Sequence, residues 1–186
     1  HEEAVKRIGR YLLKTKDQGL IMKPEKSRGL ECYVDADWAG SWQDRSSHDP
    51  SSVHSRTGYV IMFAGCPIVW SSRRQSLIAL STTEAEYIAL SSALREVIAI
   101  KNLMDELHRR GFTIHHPTPK IVCKVFKDNK SCIEIATNHK TRPRTKHLSV
   151  RLHHFRSHVV NKTISILHVS SKQQIADMFT KPLAKE

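Results

Sequence analysis

The chain has 186 residues, of which 39% are hydrophobic and 26% charged, the balance expected of a soluble globular domain with one good-sized core. No apolar run approaches the ~20 residues of a membrane-spanning helix, and no signal-peptide pattern opens the chain. Thirty Lys and Arg against 18 Asp and Glu leave a net charge of +12, which argues for a polyanionic partner.

Residues 1 to about 25 predict a basic helix with Ala4, Val5, Ile8, Leu12 and Leu13 on one face, a turn at Asp17-Gln18-Gly19, and a short extended piece, Leu20-Ile21-Met22. This stretch is too small to fold alone and is assigned to a neighbouring unit. The opening His1, in place of Met, fits a piece of a longer polypeptide. Leu30 to Trp38 then alternates as a strand, with Tyr33, Asp35 and Asp37 on one face and Cys32, Val34, Ala36 and Trp38 on the other. Gly40 to Arg56 is a polar loop long enough to be an insertion. Strands over Thr57 to Phe63 and Pro67 to Ser72 follow, joined in hairpin fashion at Ala64-Gly65-Cys66.

The longest helical pattern runs from about Thr83 to His108, without Pro or Gly and with Ala85, Ala89, Ala93, Val97, Ile100, Leu103, Met104 and Leu107 recurring on one face. At roughly 100° per residue, Glu86 falls among Ala89, Leu90, Ala93 and Val97, inside the apolar arc. A carboxylate there must be paired or metal-bound. Glu84 falls on the polar side, and both Ser81-x-x-Glu84 and Thr83-x-x-Glu86 fit a helix-opening capping box. Glu96 shares the apolar arc, but lies ten residues further on, about 15 Å along the axis. A site at the end of a sheet reaches Glu86 and not Glu96.

Beyond Gly111 and the Pro117/Pro119 pair, Ile121 to Phe126 reads as an interior strand ending at Lys127-Asp128-Asn129, with a short helix over Ser131 to Thr137. His139 to Lys146 is a basic loop, Leu148 to Val160 a helix, and Thr163 to Val169 a last strand. Ser171-x-x-Gln174 fits a capping box that opens a closing helix over Ile175 to Phe179, stopped by Pro182. The four cysteines have no C-x-x-C spacing and lie in apolar stretches, so reduced, partly buried thiols are expected. The 12 histidines form no H-E-x-x-H pattern, which leaves no case for zinc. Between Glu134 and Asp177 there is no acid, while Lys140, Arg142, Arg144, Lys146, Arg151, Arg156, Lys162 and Lys172 supply positive charge suited to phosphates.

Four acids thus fall in the first strand, the long helix, the end of the fourth strand and the closing helix. With Tyr33-Val-Asp35-Ala-Asp37, Glu84-Ala-Glu86-Tyr87, Lys127-Asp128-Asn129 and Ala176-Asp177-Met-Phe-Thr-Lys-Pro-Leu183, the chain resembles ribonuclease H, and more closely the ribonuclease H domain of copia-type retrotransposon polyproteins. The resemblance extends to TGYVIMFAGCPIVWSSRRQ, LSTTEAEYIALSSALRE and PRTKHLSVRLHHFR. It implies an α/β, three-layer fold with a five-stranded mixed sheet whose first three strands are antiparallel. It divides the chain into residues 1–28, the end of a reverse transcriptase domain, and 29–186, the ribonuclease H domain. It also implies cleavage of the RNA strand of an RNA·DNA hybrid during reverse transcription, in cytoplasmic virus-like particles, with two Mg²⁺ ions, or Mn²⁺ in their place. Asp35 is then the acid bridging both ions, Asp177 completes the nucleophile side, and Glu86 and Asp128 hold the leaving-group side, with Asp37 as the competitor to Asp35.

An all-carboxylate set is what hard Mg²⁺ asks for, and two such ions about 3.5–4 Å apart suit in-line phosphodiester hydrolysis. Ser81, Thr82, Asn129 and Ser131 are candidates for the RNA strand, whose 2′-hydroxyls set it apart from DNA. Lys140, Arg142, Arg144, Lys146 and Arg151 are candidates for phosphates. Two departures stand out: no histidine lies in the loop 170–174, where cellular ribonucleases H carry a mobile one, and Lys127 takes a place where relatives often have an acid. A catalytically weak or inactive hybrid-binding module of the reverse transcriptase is the alternative reading; an integrase-like or resolvase-like nuclease fits the motifs less well.

Overall fold

The fold is described from a computed structural model, which covers residues 2–40, 42, 48–114, 116, 120–137 and 154–181. Its elements in chain order are α1 (Glu2–Thr15), β1 (Leu30–Asp37), β2 (Arg56–Phe63), β3 (Cys66–Arg74), α2 (Thr82–Arg109), β4 (Cys123–Lys127), α3 (Lys130–Thr137), a helix α4 through 154–160, and β5 (Ile164–His168). Short 3-10 turns occupy Pro50–Val53, Ser171–Gln173 and Ile175–Phe179.

The five strands form one mixed sheet in the order β3-β2-β1-β4-β5. The pairs β1-β2 and β2-β3 are antiparallel, whereas β4 runs parallel to both β1 and β5. The turn between β2 and β3 places both Ala64 (φ 50°) and Gly65 (φ 78°) in the left-handed region, the geometry that matches the twist of a tight hairpin. Leu30, Cys32 and Val34 project from β1 into the core with Ala89, Leu90, Ala93, Leu94 and Val97 of α2, as the period-two and period-3.6 patterns require. On the opposite face of β1 the C-terminal turn 175–179 packs down beside Asp35. Because β1 and β4 are parallel neighbours, their carboxyl ends open at the same edge, where β1 also changes from an antiparallel to a parallel partner; open α/β sheets bind ligands at such switch points.

All four cysteines are buried and free, as expected. Leu103 departs from the predicted apolar face and is exposed, while Met104 is buried. α1 forms as predicted but buries none of its residues; Val5, Ile8, Leu12 and Leu13 all face solvent, and Leu20-Ile21-Met22 joins no sheet. The predicted closing helix forms over Ile175–Phe179 as a 3-10 helix, preceded by a second 3-10 turn at Ser171–Gln173, with Gln174 between them. A stretch this short before Pro182 forms few i→i−4 bonds, and the tighter i→i−3 turn takes its place.

Candidate active site

Asp35 lies near the carboxyl end of β1, paired in register with Gly58 of β2, and is only 2% exposed. Glu86 lies in the second turn of α2 and is buried. The start of that helix is fixed by Ser81, whose hydroxyl accepts from the Glu84 N–H (3.1 Å), and by Glu84, whose carboxylate accepts from the Leu80 N–H (2.9 Å). Trp38 and Gln75 tie the same region down. The indole of Trp38 donates to the Ala79 carbonyl (2.9 Å), and the buried Gln75 amide donates to Thr57 Oγ1 (3.0 Å) and the Ala85 carbonyl (2.9 Å). Glu84 therefore belongs to the helix cap, and Glu86 does not. Glu96, which shared the apolar arc on the helical wheel, is exposed.

Asp128 follows β4 directly. Asn129, not Asp128, opens α3, its Oδ1 accepting from the Cys132 N–H (2.9 Å). One oxygen of each of Asp35, Glu86 and Asp128 lies within 4.8 Å of the other two, a group with the donors to hold a metal ion. Asp37, the competitor, is outside this group. Asp177 comes in from the C-terminal turn, near enough to Asp35 for their charges to interact. The Thr180 hydroxyl links the two, lying 2.5 Å from Asp35 Oδ2, to which it donates, and 3.2 Å from the Asp177 carbonyl.

The predicted box of Ser171 and Gln174 forms only in part: Gln174 caps the turn 175–179, whereas Ser171 does not cap. Ser171 Oγ donates to Asp128 Oδ2 (3.0 Å), joining the C-terminal segment to β4. The buried Gln174 donates to the carbonyls of Val34 (3.1 Å) and Phe126 (3.4 Å), bridging β1 and β4, while its Oε1 accepts from the Ala176 N–H. Sequence reasoning missed Ser171, Gln174 and Thr180 because each acts through a contact that spans more than 40 residues. The sequence marks Lys127 only as a neighbour of Asp128. Its side chain is fully buried, forms an ion pair with Glu86 and donates to the Val34 carbonyl (3.0 Å). The alternation Cys123, Val125, Lys127 was the available signal, since it puts all three on the core side of β4.

Two observations bear on a divalent ion. Asp128 Oδ1 and Asp177 Oδ1 are buried without a hydrogen-bond partner among the described residues, an expensive state for a carboxylate oxygen unless a cation satisfies it. The donor set is oxygen only, as Mg²⁺ prefers. Asp35, Glu86 and Asp128 are the group whose oxygens lie close enough to share such an ion, with Asp177 beside Asp35, and Lys127 competes with the ion for Glu86. Ser81, Thr82 and Ser131 are exposed and Asn129 half-buried; Lys140, Arg142, Arg144, Lys146 and Arg151 lie outside the described residues.

Burial raises the Asp35 carboxyl above its ordinary value, with Thr180 and Lys127 opposing. Burial likewise pushes Glu86 from 4.5 up to about 7 against the pull of Lys127. Burial acts to lower Lys127, but Glu86 and the other acids outweigh it and the ammonium is raised. Carboxyls raised on folding stabilise the native state fully below their unfolded values and lose that contribution as pH climbs through the folded ones. In the presence of a chelator the thermal midpoint is thus expected to fall between pH 4.5 and about 7. Mg²⁺ should raise it more at pH 7 than at pH 5, because the ion competes with protons for the same oxygens. Thermal unfolding across this range with Mg²⁺ or with chelator checks the point, and a larger Mg²⁺ effect at pH 5 contradicts it.

No family model matches the chain. Over its full length it is 35% identical to the retrovirus-related Pol polyproteins from transposons RE2 and RE1 of Arabidopsis thaliana, and it is 37% identical over 97% of its length to that from transposon TNT 1-94 of Nicotiana tabacum. It spans 12% of the length of each polyprotein. Among solved structures, LC11-RNase H1 in complex with an RNA/DNA hybrid matches with a TM-score of 0.53 at 16% identity, over 81% of this chain and 92% of that one. The N-terminal RNase H domain of a Mycobacterium tuberculosis protein, solved as a fusion with maltose-binding protein, matches with a TM-score of 0.54 at 14% identity, over 82% and 91%. At these identities the structural matches speak to the fold.

Proposed function

We propose, from the premise that the chain belongs to the Pol polyproteins of copia-type transposons as a segment with a ribonuclease H fold, that it hydrolyses the RNA strand of RNA·DNA hybrids during reverse transcription. The observation that carries this reading is the convergence of Asp35, Glu86 and Asp128, from three separate elements, at the carboxyl ends of two parallel strands, with Asp177 beside them. Carboxylates gathered in this way repel one another, and a purely structural role would give no return for that cost.

When bound, Mg²⁺, or Mn²⁺ in its place, would polarise the scissile phosphate and lower the pKa of the attacking water. Asp35 and Asp128, with Glu86 where Lys127 releases it and Asp177 beside them, would hold it, and the number of ions turns on Lys127, taken up below. The chain's own groups supply position: Thr180 orients the Asp35 carboxylate, Ser171 that of Asp128, and Gln174 locks β1 to β4 beneath both. Water adds to phosphorus as the bond to the 3′ oxygen breaks, leaving a 5′-phosphate on one fragment and a 3′-hydroxyl on the other. Ser81, Thr82, Asn129 and Ser131, at the openings of α2 and α3, would face the RNA strand, and the basic residues 140–151 would hold phosphates. Residues 1–28 would pack on the polymerase domain, which gives the exposed apolar face of α1 a partner within the same polyprotein, and the reaction would run in cytoplasmic particles.

The test is the chemistry of the cut ends. Fragments from a hybrid labelled within the RNA strand are expected to gain mobility shifts on phosphatase treatment consistent with a 5′-phosphate and to extend from a free 3′-hydroxyl with a polymerase. Fragments ending in a 2′,3′-cyclic phosphate would contradict the reading. One observation favours a second reading, a hybrid-binding module with weak or no catalysis: Lys127 neutralises Glu86, an acid that the resemblance assigns to a metal. Tight binding of the hybrid without metal-dependent cutting would support that module.

A further inference from the structure

The acid cluster contains a cation of its own. Lys127 Nζ is fully enclosed, pairs with Glu86 and donates to the Val34 carbonyl at 3.0 Å. It is also close enough to Asp35, Cys32 and Cys132 to act on their ionisation, so it lies between the acids and the thiol-lined core and not toward solvent. The side chain leaves β4 on the core side and is wholly buried, its ammonium held by Glu86 and the Val34 carbonyl. Lys181, by contrast, pairs with Asp177 at 2.8 Å from the exposed side, and a metal ion displaces such a contact at little cost.

We propose that the Lys127 ammonium takes the place of one of two divalent ions, so that the cluster holds a single ion on Asp35 and Asp128, with Asp177 beside them and Glu86 withdrawn from that group into the ion pair. The assignment rests on the metal-dependent nuclease reading given above and deepens it. Charge supports it: the four acids carry −4, Lys127 brings the cluster to −3, and one divalent ion brings it to −1. A second ion would leave it at +1, beside a buried ammonium paired with Glu86. The unpartnered oxygens point the same way, since the two buried orphans belong to Asp128 and Asp177, whereas the Glu86 carboxylate is already bonded. Lys127 is on this account a positioning residue that sets the metal stoichiometry.

The test is to count ions with Mn²⁺, by equilibrium binding and by electron paramagnetic resonance of the full chain, with and without an RNA·DNA hybrid. The wild type is expected to bind one Mn²⁺ with no dipolar coupling. Lys127→Met is expected to bind a second and to show the coupled spectrum of two ions about 3.5–4 Å apart. A coupled pair in the wild type would overturn the proposal, whether or not the variant folds, and so would a folded Lys127→Met that still binds one ion. Cleavage followed in the same samples separates the two levels of the argument. Cutting by a wild type with a coupled pair removes this inference and keeps the nuclease reading; no bound ion and no cutting removes both.

Discussion

Asp35→Asn is expected to lower hybrid cleavage by about a thousandfold, the loss of roughly 4 kcal/mol of metal-dependent stabilisation, while the protein remains folded. The substitution keeps the shape of the side chain and leaves an oxygen to accept from Thr180, so the link to the C-terminal turn survives. What it removes is one buried negative charge among Glu86, Asp128 and Asp177. Because burial holds the Asp35 carboxyl above its ordinary value, the ionised group destabilises the metal-free protein at neutral pH. The thermal midpoint in chelator at pH 7 should accordingly be unchanged or higher in the variant. Asp37→Asn is the control, since Asp37 shares a strand face with Asp35 but stands outside the cluster. Its cleavage rate should remain within about tenfold of the wild type. Loss of activity in Asp37→Asn with retention in Asp35→Asn would reverse the assignment.

Gly58→Ala is expected to lose activity without touching any acid. Gly58 pairs with Asp35 on one side and with Ser72 on the other, beneath the C-terminal turn. A Cβ there would lie 2.7 Å from Thr180 Cγ2, 2.8 Å from Phe179 Cβ and 3.1 Å from the Ala176 carbonyl oxygen. No side chain fits until the turn moves. The turn is held at this spot by Ser72 Oγ, which donates to the Phe179 carbonyl (2.6 Å), and by Thr180 on Asp35. Pushing it outward separates Asp177 from Asp35, and a displacement of about 1 Å at reacting groups costs on the order of a hundredfold in rate. Overpacking should also cost about 1–3 kcal/mol of stability, read from chemical denaturation. Gly9→Ala, at a position in α1 with nothing within 4 Å, should leave activity unchanged and cost no stability, since Ala favours the helix by about 1 kcal/mol over Gly. Full activity in Gly58→Ala would show that the C-terminal turn does not position the site.

Glu86 was legible from helical phase alone, because a carboxylate among Ala89, Leu90 and Ala93 has to answer to something. Glu96 satisfied the same criterion and proved exposed although Ala93, Leu94 and Val97 beside it are buried, since it stands near one edge of the buried arc and a helical wheel does not show how far the packing partner reaches around it. Asp35 and Asp37 could not be separated by a period of two, which gives both the same face; only the approach of Thr180 and of α2 distinguishes them. The C-terminal segment was readable as helical but not as 3-10, because over five residues the two periods place the apolar groups almost alike. Its contacts with Asp35, Gly58 and Asp128 join residues more than 40 positions apart, and local pattern carries no trace of them. Lys127 lies between these cases. Strand alternation assigned it to the core side of β4, and a buried lysine must have an acid partner, so Glu86 could have been proposed for it. The exposed face of α1 was legible as amphipathic, but nothing in residues 1–186 that the structure describes covers it.

The central claim is tested most directly by offering the wild-type chain, with Mg²⁺ or Mn²⁺, an end-labelled RNA·DNA hybrid alongside duplex RNA and duplex DNA of the same sequence. Metal-dependent cutting confined to the RNA strand of the hybrid is the predicted result. Cutting of duplex DNA at a comparable rate, or hybrid binding with no metal-dependent cutting of any substrate, would contradict it.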